Sequence, residues 1–390
     1  MKKLHVCLIS DQLIPNYLPI KIYNPDIVLM IETEYTRTKS LGERFRLLIK
    51  NNLRFKTNLY SYKKFAPDYD FPALYEYFLD LINDIKTLEA DEVTLNVTGG
   101  TKLMAIAGFD VLKDICHKVI YTNTMAKSID IIHAQQKVDF ISIKLESLLN
   151  VNEYLNAYGV VINGCNSEKK EWKEKAKERK LLTEYMADYF SNNAYFLSVI
   201  NAKVQNALEN KKLKNPEQKF KDIKNKKQKK FLRKCAANNI IEYDEDKTIK
   251  FKTVETTNYL GGFWLEEYVY FLLKDLNVDE VQCGVEIEWE NKTLNEIDIL
   301  AIHNNRLLII ECKTRRYGKE NDRDNDTFYK LDSVADDLRG LYGEKWLLSV
   351  WKIEERGVRR AISQGIKILS GEDIRPEKLK KAITEWMERS

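Results

Sequence analysis

The chain has 390 residues, with 63 Lys+Arg against 59 Asp+Glu and a formal net charge of +4. This length predicts two or three domains, and a hydrophobic content of 44% excludes global disorder. The near-neutral balance argues against a protein that coats nucleic acid with a uniformly basic surface.

The compartment is expected to be the cytoplasm. The apolar run after the first two lysines ends at Ser10, too early for a secretory signal, and no stretch approaches the roughly 18 apolar residues of a membrane span. The six cysteines are scattered and never form a CxxC pair. Reduced, buried thiols are therefore expected rather than a disulfide framework or a zinc finger.

The first 150 residues alternate strand and helix signals, which predicts an α/β domain with a doubly wound, largely parallel sheet. Strands are predicted at 4–9, 26–31, 92–97, 118–122 and 129–133. Helices are predicted at 41–51, 71–88 and 103–112, followed by an exit helix at 146–159.

The middle of the chain differs in charge. Between Lys203 and Lys234 there are thirteen Lys/Arg against three Asp/Glu. This stretch is interpreted either as a solvated connector or as an arm that follows nucleic-acid phosphates without reading sequence. A helix at 231–241 followed by a short strand at 248–253 indicates a winged-helix-like connector.

The last part returns to a mixed αβ pattern. Strands are predicted at 284–290, 294–302, 307–312 and 346–350, and helices at 264–276, 329–341 and 375–388, with a polar loop at 317–326. The predicted domains are 1–155, a basic connector at 156–255, and 256–390.

A first cluster of polar residues is the segment NVTGGTK, residues 96–102, where a strand passes through two glycines directly into a helix. Free amides and the dipole at a helix start favour an anion, and Lys102 adds a positive charge. The glycine spacing is not that of a Walker loop. A second polar segment, 10–12, follows the first strand and is expected at the same edge of the sheet.

These two segments resemble the CARF domain, the Rossmann-like sensor of CRISPR-associated accessory proteins. The resemblance implies a homodimer that binds a cyclic oligoadenylate across its two-fold axis. By position in the motifs, the implied ligand-binding residues are Ser10, Asp11, Gln12, Asn96, Thr98, Gly99, Gly100, Thr101 and Lys102.

A second cluster lies in the strands NEIDILAI and LLIIECKT. Asp298 and Glu311 are acidic residues in apolar strands, and a tight turn at 303–305 can place them side by side. Glu311 and Lys313 are two apart and project from one face. Two carboxylates and a lysine suit a hard divalent cation that activates water, although a surface ion-pair network would have the same composition.

The spacing of Asp298, Glu311 and Lys313 resembles the core of the PD-(D/E)XK nucleases. That resemblance implies catalytic roles for Glu266, Asp298, Glu311 and Lys313, with Glu267 as a neighbouring possibility for the helical glutamate. It also implies Mg²⁺ or Mn²⁺ held by Asp298, Glu311 and the backbone carbonyl of Cys312. Ile297 stands where the family name has proline.

The two resemblances together indicate a type III CRISPR ancillary nuclease, activated by cyclic tetra-adenylate and cleaving DNA, RNA or both with relaxed sequence specificity. The alternative is a cyclic-oligoadenylate-responsive nucleic-acid-binding regulator without nuclease activity. A third interpretation, a sensor that also degrades its own ligand, lacks a clear general base in the first 150 residues.

Overall fold

The structure is a computed structural model, and it describes residues 1–53, 57–135, 141–220, 223, 225–244, 248–316, 338, 340 and 343–389. Two mixed αβ units are joined by a helical unit that carries two small sheets. The predicted loop at 317–326 and most of the predicted helix at 329–341 lie outside the described residues.

The first unit follows the predicted alternation of strands and helices. Its elements are β1 (Lys3–Leu8), α1 (Ile14–Tyr23), β2 (Ile27–Ile31), α2 (Glu34–Thr38), α3 (Leu41–Asn52), β3 (Asn58–Ser61), α4 (Phe71–Thr87), β4 (Glu92–Asn96), α5 (Lys102–Leu112), β5 (Lys118–Asn123), β6 (Ser128–Ala134), β7 (Ser142–Lys144) and α6 (Val151–Ala157).

The sheet of this unit has the strand order β3-β2-β1-β4-β5-β6-β7. The first five of these strands in spatial order are parallel, and β6 and β7 add antiparallel pairs at one edge. The order reverses between β1 and β4, so the carboxyl ends of these two neighbours form the crevice where α/β sheets bind ligands. This is the Rossmann-like arrangement that the sequence predicts.

The middle of the chain contains the strand β8, followed by a helical unit that carries five short strands. The elements are β8 (Val160–Cys165), α7 (Lys170–Glu178), α8 (Lys180–Asn192), α9 (Ala194–Ala207), β9 (Leu208–Glu209), β10 (Lys212–Leu213), β11 (Glu217–Lys219), α10 (Lys226–Ala237), β12 (Ile241–Asp244) and β13 (Thr248–Phe251). The basic helix α10 lies in the chain between β11 and β12, two strands of a three-stranded sheet of order β11-β13-β12, and this helix-and-sheet arrangement agrees with a winged-helix-like form.

The last unit begins with α11 (Val254–Asn258) and a π-helical segment, Tyr259–Phe263. It continues with α12 (Trp264–Asp275), β14 (Glu280–Trp289), β15 (Leu294–His303), β16 (Arg306–Lys313), β17 (Glu344–Ser349), α13 (Glu355–Ser363), β18 (Ile366–Ser370) and α14 (Pro376–Glu388). Its sheet has the order β18-β17-β16-β15-β14-β8, with the three strands β16, β17 and β18 parallel.

Three apolar clusters hold these layers together. One packs α4 and α5 on one face of the first sheet. A second joins the other face of that sheet, through α1, α3 and α6, to one face of the second sheet. The third joins the opposite face of the second sheet to α12 and to the connector helices α8, α9 and α10. The second sheet is therefore buried on both faces, by the first unit and by the connector.

Two predicted boundaries change. The strand β8 lies inside the predicted connector 156–255, but it pairs with β14 as the edge of the second sheet. The exit helix spans only Val151–Ala157, because residues before it bind the second unit and Asn150 caps its first turn. The pairing of β8 was not readable locally, because its partner strand lies more than a hundred residues away. The start of α6, in contrast, is marked locally by the capping pair Asn150 and Glu153.

All six cysteines are free and buried. Among the described residues, no helix is long and apolar enough to cross a membrane.

Candidate functional site

The hairpin of β15 and β16 organises the predicted nuclease site. Asn304 and Asn305 both have positive φ, 49° and 63°, as a two-residue hairpin turn requires, and asparagine tolerates this conformation. The turn fixes a register in which Ile299 lies opposite Ile310. Continued by one residue, that register brings Asp298 to Glu311.

Asp298 is held at the end of the hairpin pairing. The main-chain N–H of Cys312 donates to Asp298 Oδ2 at 2.7 Å. The carbonyl of the next residue, Lys313, accepts from Val350 N at 3.0 Å on the β17 side. Because strand residues alternate the edge to which their main-chain groups point, the Cys312 carbonyl faces the Asp298 side. The predicted ligand carbonyl is thus oriented toward the predicted ligand carboxylate.

Glu311 and Lys313 form a salt bridge on the same strand. Glu311 is buried and the side chain of Lys313 is one-fifth exposed. Burial lowers the pKa of the Lys313 ammonium, but Glu311 and Asp298 outweigh it, and the net shift is upward. Lys313 is therefore a fixed positive charge beside two carboxylates.

Glu266 lies in the first turn of α12. Its pKa is raised well above the usual value, first by burial and then by the negative charges of Asp298 and Glu296. Lys313 opposes this shift without cancelling it. The structure therefore brings all four predicted catalytic residues into one electrostatic cluster with excess negative charge.

Glu267, the alternative helical glutamate, has a different environment. Its carboxylate is gripped by Arg179, whose Nε donates to Oε2 at 2.9 Å and whose second nitrogen pairs with Oε1. Arg179 also binds Glu255 at 2.6 Å and lies 3.9 Å from the ring centroid of Tyr259. Glu267 is thus neutralised inside the protein, which leaves Glu266 as the glutamate that faces Asp298.

The side-chain and main-chain oxygens of this cluster suit a divalent cation. Within the described chain, no three His, Cys, Asp or Glu side chains are already grouped as a metal site. The predicted set instead combines two carboxylates with a main-chain oxygen, all of them hard oxygen donors. Mg²⁺ usually takes only one or two carboxylates and keeps several waters, so the residues present fit such an ion.

The predicted sensor segment lies at the switch point of the first sheet. Asn96 is buried, and its Oδ1 accepts from both the N–H and the hydroxyl of Thr98. Thr98 Oγ1 in turn accepts from Thr122 N at 2.7 Å, at the end of β5. The strand ends converge as predicted, and Asn96 acts there as a support for Thr98.

The two glycines have separate reasons to be glycine. A Cβ on Gly99 would lie 1.9 Å from the Leu8 carbonyl oxygen, so Gly99 is needed for packing against β1. Gly100 has φ of 71°, a conformation that favours glycine. The lack of a side chain at Gly99 therefore lets it lie close to the main chain of β1.

Thr101 and Lys102 begin α5. Thr101 Oγ1 accepts from Met104 N at 3.2 Å as the helix cap, and it donates to the Asp68 carbonyl at 3.2 Å. Lys102 is exposed at the first position of the helix. The start of α5 therefore combines a capped helix terminus with the exposed ammonium group of Lys102, and this arrangement suits a phosphate.

The second sensor segment, residues 10–12, follows the end of β1, and its three side chains contact different parts of the protein. Ser10 is half-buried and contacts the Gln12 carbonyl at 3.4 Å. Asp11 is exposed and accepts from the Tyr35 hydroxyl at 3.1 Å. Gln12 accepts from the hydroxyl of Tyr158 at 3.1 Å, a residue between the first and second sheets. Gln12 thus links the sensor edge to the junction of the two units.

Several supporting residues were not found from the sequence. Asn16, buried in α1, donates to Leu8 O at 2.8 Å beneath Gly99, and Arg179 binds a glutamate 88 residues away. Asn16 lies in the first turn of α1, which begins at Ile14 and has a proline in that turn. A proline there is itself a helix-start signal.

The basic stretch becomes partly ordered helix in the structure. On α10, Phe231, Leu232 and Cys235 are buried, while Lys226, Lys227 and Lys230 are exposed. The apolar side packs into the connector core, and the cations cover the outer side. Both predicted interpretations, a solvated face and a phosphate-tracking arm, agree with this arrangement.

Comparison with known proteins gives two family matches. Residues 4–154 match the family described as the Card1 CARF domain, and residues 253–390 match the Card1-like endonuclease domain. A comparison with curated protein sequences gave no match.

Solved structures resemble the fold of the whole chain. Can2 from Sulfobacillus thermosulfidooxidans, solved with cyclic tetra-adenylate, is 24% identical with a TM-score of 0.74, and 99% of each chain is covered. Protein VC1899 from Vibrio cholerae is 18% identical with a TM-score of 0.81, covering 99% of this chain and 98% of that one. A type III CRISPR defence DNA nuclease activated by cyclic oligoadenylate is 12% identical with a TM-score of 0.53; 98% of this chain covers 52% of that one.

The matches follow the two units of the fold and confirm the two family resemblances. The N-terminal unit is a CARF domain and the C-terminal unit is an endonuclease domain. The chain therefore joins a CARF domain of the Card1 type to a Card1-like endonuclease domain.

Proposed function

We propose that this protein is an endonuclease of type III CRISPR antiviral defence, activated by cyclic tetra-adenylate and dependent on Mg²⁺ or Mn²⁺. Its substrate is nucleic acid, DNA or RNA, cut with relaxed sequence specificity. Support comes from the domain pair and from two structural relatives, one solved with cyclic tetra-adenylate and one described as activated by cyclic oligoadenylate.

The observation that carries the nuclease proposal is the hydrogen bond from Cys312 N to Asp298 Oδ2. It fixes Asp298 beside Glu311 and Lys313, two residues that the sequence places on the neighbouring strand. Asp298, Glu311 and the Cys312 carbonyl would hold the cation. When bound, such an ion lowers the pKa of a water molecule and polarises a phosphate oxygen.

The chain's own residues supply the remaining roles. Lys313, held by Glu311, is placed to orient the attacking water and to stabilise negative charge developing on the phosphate. Glu266, whose carboxyl lies among the other acids, completes the acidic cluster that a cation would neutralise.

The sensor proposal rests on the helix start at Thr101 and Lys102 and on the polar segment 10–12. Free amides, the helix dipole and one lysine per copy form half of an anion site. A homodimer would place two such halves around a two-fold axis, which matches the symmetry of a ring of phosphates. Ser10, Asp11, Gln12, Thr98, Gly99 and Gly100 would line that site, with Asn96 beneath it.

The test is cleavage of plasmid, single-stranded DNA and RNA with Mn²⁺ or Mg²⁺, with and without cyclic tetra-adenylate. Cleavage is expected only when both ion and ligand are present. Asp298→Asn, Glu311→Gln and Lys313→Ala should lower the rate by at least about 100-fold while ligand affinity is unchanged. Glu286→Gln, an exposed carboxylate on the neighbouring strand β14, is the matched control.

Normal cutting by Lys313→Ala would overturn the site assignment. Sequence-specific binding of duplex DNA without any metal-dependent cutting would instead support the alternative function, a ligand-responsive regulator. Light scattering of the purified protein at micromolar concentration measures the predicted dimer directly.

A further inference from the structure

A tyrosine at the junction of the two αβ units contacts the second sensor segment. Tyr158 directly follows α6 and donates from its hydroxyl to Gln12 Oε1 at 3.1 Å. Its ring stacks on Tyr154, with the two ring centroids 5.4 Å apart. Tyr154 is fully buried in the apolar cluster that joins the two sheets, and Tyr158 packs against that cluster. The hydroxyl group that reaches Gln12 is therefore held in a fixed position.

The endonuclease domain lies against the same hydroxyl group. Gly340 has a φ of 48°, and a Cβ atom added to it would overlap the Tyr158 hydroxyl oxygen and lie 3.1 Å from Gln12 Oε1. Leu338, two residues earlier, is completely buried in the apolar cluster that joins the two sheets. The main chain at Gly340 is thus packed directly against the hydrogen bond between Tyr158 and Gln12.

This hydrogen bond determines how Gln12 presents its amide. A side-chain amide has an acceptor oxygen on one side and two N–H donors on the other. Because Tyr158 binds the oxygen of Gln12, the N–H donors point away from Tyr158. Burial raises the pKa of the Tyr158 hydroxyl to about 12, although a hydrogen bond with Tyr154 opposes that shift, so the hydroxyl keeps its proton at neutral pH. Gln12 therefore offers donors, which the phosphate and base acceptors of a nucleotide ligand require.

We propose that Tyr158 is a positioning residue for the cyclic tetra-adenylate site, and that the endonuclease domain holds it in place through Gly340. The amide of Gln12 then depends on the other domain for its orientation toward the ligand. Because coupling between sites is reciprocal, a change at Gly340 alters the ligand affinity, and ligand binding acts on Gly340 with the same free energy. This inference rests on the proposed function, since it takes cyclic tetra-adenylate as the ligand of residues 10–12.

The first test measures the affinity of the full-length protein for cyclic tetra-adenylate by calorimetry. Tyr158→Phe removes only the hydroxyl group and should weaken binding about 5-fold, the usual effect of one hydrogen bond. Glu290→Gln is the matched control and should bind normally, because Glu290 pairs with Arg44 at 2.9 Å across the same junction in a contact that does not involve Gln12. Gln12→Leu should also weaken binding. Adding Tyr158→Phe to Gln12→Leu should have no further effect, because Tyr158 acts through Gln12.

The second test asks whether Gly340 acts through the same hydroxyl group. Gly340→Ala should weaken ligand binding and lower the melting temperature, because the added methyl group displaces the Tyr158 hydroxyl. Gly371→Ala is the matched control and should cost less: its φ of 61° imposes similar backbone strain, but the nearest atom to the added Cβ lies 3.5 Å away, in Lys352. Adding Tyr158→Phe to Gly340→Ala should recover part of the melting temperature, because the overlapping oxygen is removed.

Each result has a contrary outcome. An unchanged affinity in Tyr158→Phe, or an equal loss in Glu290→Gln, would overturn the positioning role. Additive effects of Gly340→Ala and Tyr158→Phe on the melting temperature would overturn the part assigned to the endonuclease domain. Failure of the native chain to bind cyclic tetra-adenylate would refute the proposed function, and this inference with it, so the two kinds of failure are distinguishable.

Discussion

The sensor edge and the nuclease edge use their polar residues in opposite ways. At the sensor edge, Asn96, Thr98 and Thr122 satisfy one another by hydrogen bonds, and Gly99 closes against the backbone of β1. At the nuclease edge, Asp298 accepts from Cys312 N beside the Glu311–Lys313 salt bridge. Burial and the charge of Asp298 raise the pKa of Glu266, and Lys313 opposes that shift. At the sensor edge the polar groups are satisfied within the protein and hold the start of α5 in place. At the nuclease edge a bound cation would balance the negative charge of the carboxylates.

The neighbouring glutamate on α12 shows what an acidic residue looks like when the protein itself supplies the balancing charge. Glu267 is one residue from Glu266, yet Arg179 neutralises it with two hydrogen bonds. The comparison teaches that burial alone does not mark a catalytic acid. The surrounding charges decide whether a carboxylate is structural or needs an ion from outside.

The largest effect is expected from Arg179→Met. The side chains of Arg179 and Glu267 are only 7% and 2% exposed, so the change leaves a buried carboxylate without its partner. The free energy of unfolding should fall by about 3–5 kcal/mol in urea denaturation. Lys180→Met, which breaks the surface pair with Asp275, should cost at most about 1 kcal/mol. Equal losses in the two variants would contradict a structural role for the Glu267 side of α12.

At the nuclease edge, Asp298→Asn should not lower the free energy of unfolding, in contrast to Arg179→Met. Without metal, stability should be unchanged or slightly higher, because one of several like charges is removed while an oxygen remains to accept from Cys312. With Mg²⁺ at about 100 times its Kd, the native protein should gain about 2.7 kcal/mol. Thermal melting should show this gain in the native chain and in Glu286→Gln, and its loss in Asp298→Asn.

The same metal titration has a clear contrary result. An Asp298→Asn protein that is stabilised by Mg²⁺ as strongly as the native chain would place the ion elsewhere. The sensor edge and the nuclease edge would then differ less than the proposed metal site requires.

A smaller effect is expected at the sensor edge from Gly99→Ala. The added methyl group would overlap the Leu8 carbonyl, and overpacking of this kind costs about 1–3 kcal/mol. Gly164→Ala, whose nearest neighbour is the flexible side chain of Glu286 at 3.3 Å, is the control and should cost less. Chemical denaturation measures both. A neutral Gly99→Ala would mean that this edge is not the closed scaffold described above.

The smallest effect is expected from Thr101→Ala. Loss of the cap hydrogen bond to Met104 N should lower stability by about 1 kcal/mol. Thr101→Ser keeps the hydroxyl and should restore it. If the helix start also binds the ligand, calorimetry should find weaker binding of cyclic tetra-adenylate in Thr101→Ala and recovery in Thr101→Ser. Full stability in Thr101→Ala would show that the cap contributes nothing measurable.

Local patterns were enough to predict much of the fold. The β15–β16 hairpin, the antiparallel partner of β5 and the strand-to-helix turn at Thr101 all depend on neighbours close in sequence. The choice between Glu266 and Glu267 was left open because adjacent helical residues differ by about 100° in direction. Only the packing of α12 against the sheet and against Arg179 fixes which one faces Asp298.

Long-range partners account for what was missed. The strand β8 has an apolar sequence, but nothing near it indicates that it pairs with β14 some 120 residues later. Asn305 accepts from Leu148 N and Leu149 N, so a residue outside the sensor unit holds the segment just before α6.

The position of β8 has a practical consequence for dissecting the protein. A fragment that starts at residue 256 would lack this strand and would expose the long β14 edge of a mostly apolar sheet. Unpaired edges of this kind template strand addition between molecules, so such a fragment should self-associate. A fragment that starts at residue 159 would keep the edge covered and carry the connector as an insertion. The catalytic sheet is thus assembled from both sides of the connector, and its two parts are best expressed together.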